Sequence, residues 1–146
     1  MSLGLGAPQR QLLATASLVG LEARHAAAGL EAGAAADEPA LMPPWDAPTR
    51  AWLTDAAPAL ALAVNGAACL LDLDGVIVDG SCSRGLLDAL LTEVERAFDA
   101  FDWEGVARPR LLAGTIGSDA RALGGALIPL YANFAPDRDL FLKRLP

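Results

Sequence analysis

Histidine occurs once in this sequence and cysteine twice, and neither stands in a spacing that would hold a metal. Cys69 and Cys82 form no CxxC pair, which argues against a zinc site and leaves too little for a disulfide framework. Reduced thiols in a cytoplasmic chain are the expectation. Basic residues are also scarce, 11 Lys and Arg against 18 Asp and Glu, for a net charge of -7. Neutralising a phosphate backbone needs clustered cations, so a DNA-binding surface within this chain is disfavoured. Met1-Ser2-Leu3 lacks the basic segment of a signal peptide. The longest uncharged apolar run, residues 56–71, contains Pro58, Asn65 and Gly66 and falls short of the ~20 residues that span a bilayer. It reads as a buried helix, with no membrane partner.

The chain does have apolar aliphatic residues in quantity: 53% of it is hydrophobic and only 5% aromatic. Its 146 residues suffice for one alanine- and leucine-rich core in which helix dominates. The stretch 70–81, LLDLDGVIVDGS, organises the rest. Val76, Ile77 and Val78 are consecutive β-branched residues, which predicts a strand buried on both faces, as in parallel sheets. The strand ends at Asp79-Gly80-Ser81, and the carboxyl end of such a strand is where an open α/β sheet presents a ligand crevice.

Gly4, Gly6 and Pro8 predict a flexible start, and Leu12, Ala16, Val19, Ala23 and Ala26 a first helix that lasts until Gly29. Residues 31–48 carry four prolines and read as a loop pinned by Leu41, Met42 and Trp45. Thr49 is a candidate cap for a second helix towards Leu71, kinked or broken at Pro58 and beyond it apolar on every face. Ser81 or Ser83 caps a third helix whose stripe is Leu87, Leu90, Leu91, Val94, Phe98 and Phe101. Residues 111–113 read as a second strand, so strand, helix and strand make a right-handed parallel crossover. Ser118 or Asp119 caps a fourth helix with Leu123, Leu127, Leu130 and Phe134 on one side. Its Gly124 and Gly125 imply close approach of another element, and Pro129 a bend. Residues 137–146 read as a partly ordered tail.

Two strands do not make an independently stable sheet. The sequence therefore predicts that the rest of the sheet comes from other polypeptide or from a second copy.

The stretch 61–80, ALAVNGAACLLDLDGVIVDG, resembles the C-terminal part of ROK proteins, the family of sugar-responsive repressors and sugar kinases. Residues 114–126, GTIGSDARALGGA, look like that family's final turn and helix. The resemblance covers most of the chain from about Gln9 and implies the actin-like, ribonuclease-H-like ATPase fold. The fold class expected is thus α/β, a helix-rich partial lobe with a βαβ core. Residues 1–48 would supply a helix and proline-rich loop, and residues 49–146 the βαβα portion. Family members also carry a phosphate-binding Asp-x-Gly-x-Thr turn, a catalytic Asp, a Glu-x-Gly-His motif and a zinc site, and repressors add a helix-turn-helix. None is found in this sequence.

By resemblance, Gly80, Gly114 and Gly117 match glycines that let the backbone approach a nucleotide, although such glycines also simply make tight turns. Asp79 stands where kinases more often have glycine, and a carboxylate there repels phosphates. Asp72 and Asp74 share a strand face but have no His or Cys companions, so they read as flanking the strand, and His25 as an ordinary helix residue. Trp45, Trp52 and Trp103 read as anchors.

No catalytic or metal-binding residue is expected. The expected function is the C-terminal subdomain of a sugar-responsive ROK-type regulator, not catalytic by itself and without a cofactor of its own. Its partners would be the missing N-terminal lobe or a second copy, a sugar in the full-length protein, and DNA only through an upstream domain. The alternatives are a fragment of a ROK sugar kinase, with ATP as its cofactor, and a self-associating interaction module.

Overall fold

The computed structural model describes residues 11–134. The expected flexible start and the tail lie outside them. The helices are α1 (Leu12–Ala16), α2 (Leu18–Ala27), α3 (Asp46–Leu71), α4 (Arg84–Phe98) and α5 (Ala120–Phe134). The strands β1 (Gly75–Val78) and β2 (Arg110–Ala113) pair in parallel, in the register Gly75 to Arg110 through Val78 to Ala113. The architecture is therefore mixed α/β, helix-rich, with a two-stranded parallel sheet.

The expected first helix is two. Ser17 adopts an extended backbone, and its hydroxyl accepts from the Gly20 N–H at 3.2 Å, capping α2 while ending α1. At the other end Gly29 takes φ +73°, and the N–H groups of Gly29 and Leu30 return to the carbonyls of Ala26 and His25, as a left-handed cap requires. The proline-rich segment holds two 3-10 turns, Ala32–Ala36 and Glu38–Leu41. Leu41 packs on the core and the Trp45 indole donates to the Glu31 carbonyl, but Met42 is exposed and pins nothing.

Helix α3 begins at Asp46, so Thr49 lies inside it and not at its cap. Pro48 falls in the first turn, where a missing N–H is harmless. A domain division at residue 48 would run through that turn, although α2 and α3 share one core through Leu21, Trp52 and Leu53. The helix also runs through Pro58 without a break and ends at Asp72, in the left-handed region at φ 49°. Beyond the proline it is not buried all round. Ala61, Val64 and Ala68 face the core while Leu62, Leu70 and Leu71 are exposed.

By length and composition α3 could cross a membrane, and 33% of that apolar window is buried inside the protein. The sequence run alone underestimated its length, because Asp46, Arg50 and Asp55 belong to the same helix.

Ser83 caps α4, accepting from the Leu86 N–H at 3.2 Å. The helix buries Leu86, Leu87, Leu90, Val94 and Phe98 against α3, each such side chain contributing about 1.5–3 kcal/mol on leaving water. Phe101 lies beyond its end, packed with Trp103 against the core. Arg108 reaches back to Glu95 and Asp99 and lies over the Phe98 ring, fastening the connection to β2.

The sheet is covered on one side. Val76 and Leu111 pack on the core, whereas Ile77 and Leu112 are exposed, so the expected two-sided burial of β1 does not occur. Helix α5 is preceded by a 3-10 turn that has no side-chain cap, packs mainly on that turn and is exposed from Ala120 to Asn133. Among the described residues, nothing outside the helix's own backbone and the glycines' chain neighbours comes within 4 Å of the Cβ positions of Gly124 or Gly125, contrary to the expected close contact.

Candidate functional site

The carboxyl end of β1 and the turn after β2 meet at Asp79. Parallel pairing puts Val78 beside Ala113, so the next residues of both strands, Asp79 and Gly114, emerge side by side. Gly114 donates its N–H to the Val78 carbonyl at 2.8 Å. The turn at residues 114–117 then curls around the Asp79 carboxylate. Asp79 Oδ2 accepts from the N–H groups of Ile116 and Gly117, both at 3.0 Å, and Oδ1 from the Gly80 N–H at 2.9 Å. Consecutive backbone N–H groups converging in this way form an anion-binding concavity. Here the anion is the protein's own side chain.

Arg84, in the first turn of α4, holds the arrangement from the other side. Its guanidinium pairs with Asp79 Oδ1 at 3.3 Å and donates to the carbonyls of Gly114 at 2.5 Å, Gly80 at 3.2 Å and Cys82 at 3.3 Å. The Gly117 N–H, opposing desolvation, the Gly80 and Ile116 N–H groups and Arg84 together bring the Asp79 carboxyl down to about 2. Asp79 is thus ionised throughout the physiological range and cannot shuttle a proton. Cys82, half-buried next to it, has its thiol pushed up by burial and stays protonated.

The three glycines singled out in the sequence are brought together. A Cβ on Gly114 would lie 2.6 Å from Asp79 Oδ2 and closer still to its Cβ and Cγ. Gly117 has φ +59°, and a Cβ there would lie 2.8 Å from Arg84 Nη2. Gly80 supplies a donor and an acceptor. All three serve the intramolecular carboxylate. Sequence reasoning placed Asp79 as an obstacle to phosphate but missed Arg84 and the bonds to the turn. The available signal was a strand-ending Asp opposite a glycine turn, with an Arg in the first turn of the following helix.

Asp72 and Asp74 do not join this cluster, since Asp72 ends α3 and the Asp74 carbonyl accepts the Arg110 N–H at the foot of the sheet. Among the described residues no group of three His, Cys, Asp or Glu side chains could hold a metal ion. His25 is wholly buried, its Nε2 2.9 Å from Thr49 Oγ1, and burial lowers its pKa. No family model matches the chain, and no curated protein matches it.

Proposed function

We propose that this chain is a non-catalytic α/β subdomain whose work is to complete a larger sheet, and that its parent is a ROK-type regulator responding to a sugar. The observation that carries the non-catalytic part is the Asp79 carboxylate bonded to the N–H groups of Gly80, Ile116 and Gly117. A nucleotide phosphate would have to displace a fixed negative charge that already uses those donors. This argues against the sugar-kinase reading and against ATP as a cofactor. The bare sheet face at Ile77 and Leu112, together with the exposed α5, supports a partner that supplies further layers. That partner is the N-terminal lobe of a ribonuclease-H-like fold or a second copy.

The regulator and its family rest on the sequence resemblance of residues 61–80 and 114–126 alone. Sugar binding and DNA binding would belong to the parent, the latter through an upstream helix-turn-helix. A cytoplasmic site without membrane contact accords with Trp52, Leu53, Ala56 and Ala61 of α3 lying in a protein core.

Calorimetric titration with MgATP and MgADP tests the first half: no binding heat is expected, and micromolar binding would overturn it. The reading frame upstream tests the second. A helix-turn-helix there supports a regulator, whereas a catalytic Asp with Glu-x-Gly-His would return the chain to the kinases.

A further inference from the structure

Two apolar surfaces are left uncovered among the described residues, and neither covers the other. One is the outer face of the sheet. Ile77, 71% exposed, pairs in register with Leu112, and with Ile116 they line an open groove of about 410 Å³ at the carboxyl ends of β1 and β2. No residue of α5 lines that groove. The other surface is α5 itself. Leu123, Leu127, Leu130 and Tyr131 recur at helical spacing on one side of it and all are exposed, while Arg121 is the only charge among its 15 residues.

We propose that a second copy of the chain covers both surfaces: α5 of each copy lies in the sheet groove of the other, about a twofold axis. This rests on the reading that the chain completes a larger layered structure, and it commits that reading to one partner.

A sheet packed on helices at one face takes a further layer at the other. The chain carries an apolar helix but holds it off its own sheet, so exchange between two copies satisfies both surfaces without refolding either. A twofold axis makes the contact twice, because each copy offers what the other lacks. Seven side chains per copy, each 40% exposed or more, withdraw on the order of 1,000 Å² of apolar surface from water across the pair, the size at which a specific interface becomes stable. Two copies of net charge -7 repel each other, and this contact joins the parts of them poorest in charge. The carboxylate on the groove wall, Asp79, is already paired with Arg84. Gly124, one position above Tyr131 by two helical turns, leaves room for the backbone of α5 to come close to the partner's strands.

Sedimentation velocity of the full chain, from about 1 μM to about 1 mM, provides the test. The mass is expected to rise from 15.1 kDa to twice that value. Leu127→Glu and Ile77→Lys, each at an exposed position, put a charge into one half of the contact and are each expected to weaken association at least about tenfold, with unchanged circular dichroism reporting that they fold. Mixed one to one, the two variants are expected to associate again, because α5 of Ile77→Lys still fits the sheet of Leu127→Glu. Leu62→Glu, on the exposed side of α3, is expected to change nothing. In the wild type, amide exchange of residues 120–133 is expected to slow at the concentrations where the dimer forms. A chain that stays monomeric to the millimolar range overturns the proposal and leaves a missing lobe as the partner, so the wider reading survives it. A dimer indifferent to either charged variant, one not restored by mixing them, or an α5 already protected in the monomer overturns it as well.

Discussion

Asp79 fills the space that a side chain on Gly114 would need. The two residues follow paired positions on parallel strands, and a Cβ at Gly114 would fall 2.6 Å from Asp79 Oδ2 and nearer to the carbons behind it. Gly114→Ala is therefore expected to destabilise the chain by about 1–3 kcal/mol, the range for overpacking a filled site. Urea unfolding measures it. In an Asp79→Gly background the same change should cost much less, because the clashing atoms are gone; equal costs in both backgrounds would show that the contact is not the cause.

The low pKa of Asp79 links its bonds to acid stability. Its carboxyl titrates at about 2 in the folded chain against an ordinary 3.8, so folding favours the ionised form. The stabilisation is fully present above pH 3.8 and is lost as pH falls towards 2. Unfolding midpoints followed across that window should drop more steeply in the wild type than in Asp79→Asn. Parallel curves would contradict the assignment.

His25 and Thr49 make an opposite prediction for a buried base. Burial lowers the imidazole pKa from its ordinary 6.5, so the unfolded chain binds the proton more readily. Stability is complete above about pH 6.5 and declines as the pH falls below it. Thr49→Val removes the only partner of Nε2 among the described residues and should destabilise by about 1–3 kcal/mol at pH 8. A double variant, Thr49→Val with His25→Leu, should recover part of that loss and flatten the pH dependence between 5 and 7; both are read from thermal unfolding followed by circular dichroism.

Backbone exchange should divide the chain into two classes. Amides of α3 and α4, whose facing sides are buried, are expected to exchange slowly. Those of α5 should exchange much faster, since its residues are exposed and its main contact is the preceding turn. Hydrogen–deuterium exchange by mass spectrometry measures the difference. Strong protection of α5 in a dilute monomer would mean that it packs somewhere on the body.

Local order determined much of what could be read from the residues alone. The leucines of α4 recur at helical spacing, Val76, Ile77 and Val78 favour an extended chain, and Gly29 ends α2, because propensity, periodicity and positive φ are properties of neighbouring residues. The parallel pairing followed from the length of the connection. Which faces are buried was not legible, since burial depends on what else is present: Ile77, Leu62 and Leu127 are as apolar as the buried core residues but are exposed among the described residues. The break at Ser17 is a local cap that the helical spacing of its neighbours concealed, and α3 continues through Pro58 although proline alone disfavours it. Only the tertiary structure brought Asp79 to residues 114–117, more than thirty positions away, and turned its carboxylate from an obstacle into the anion that the turn encloses.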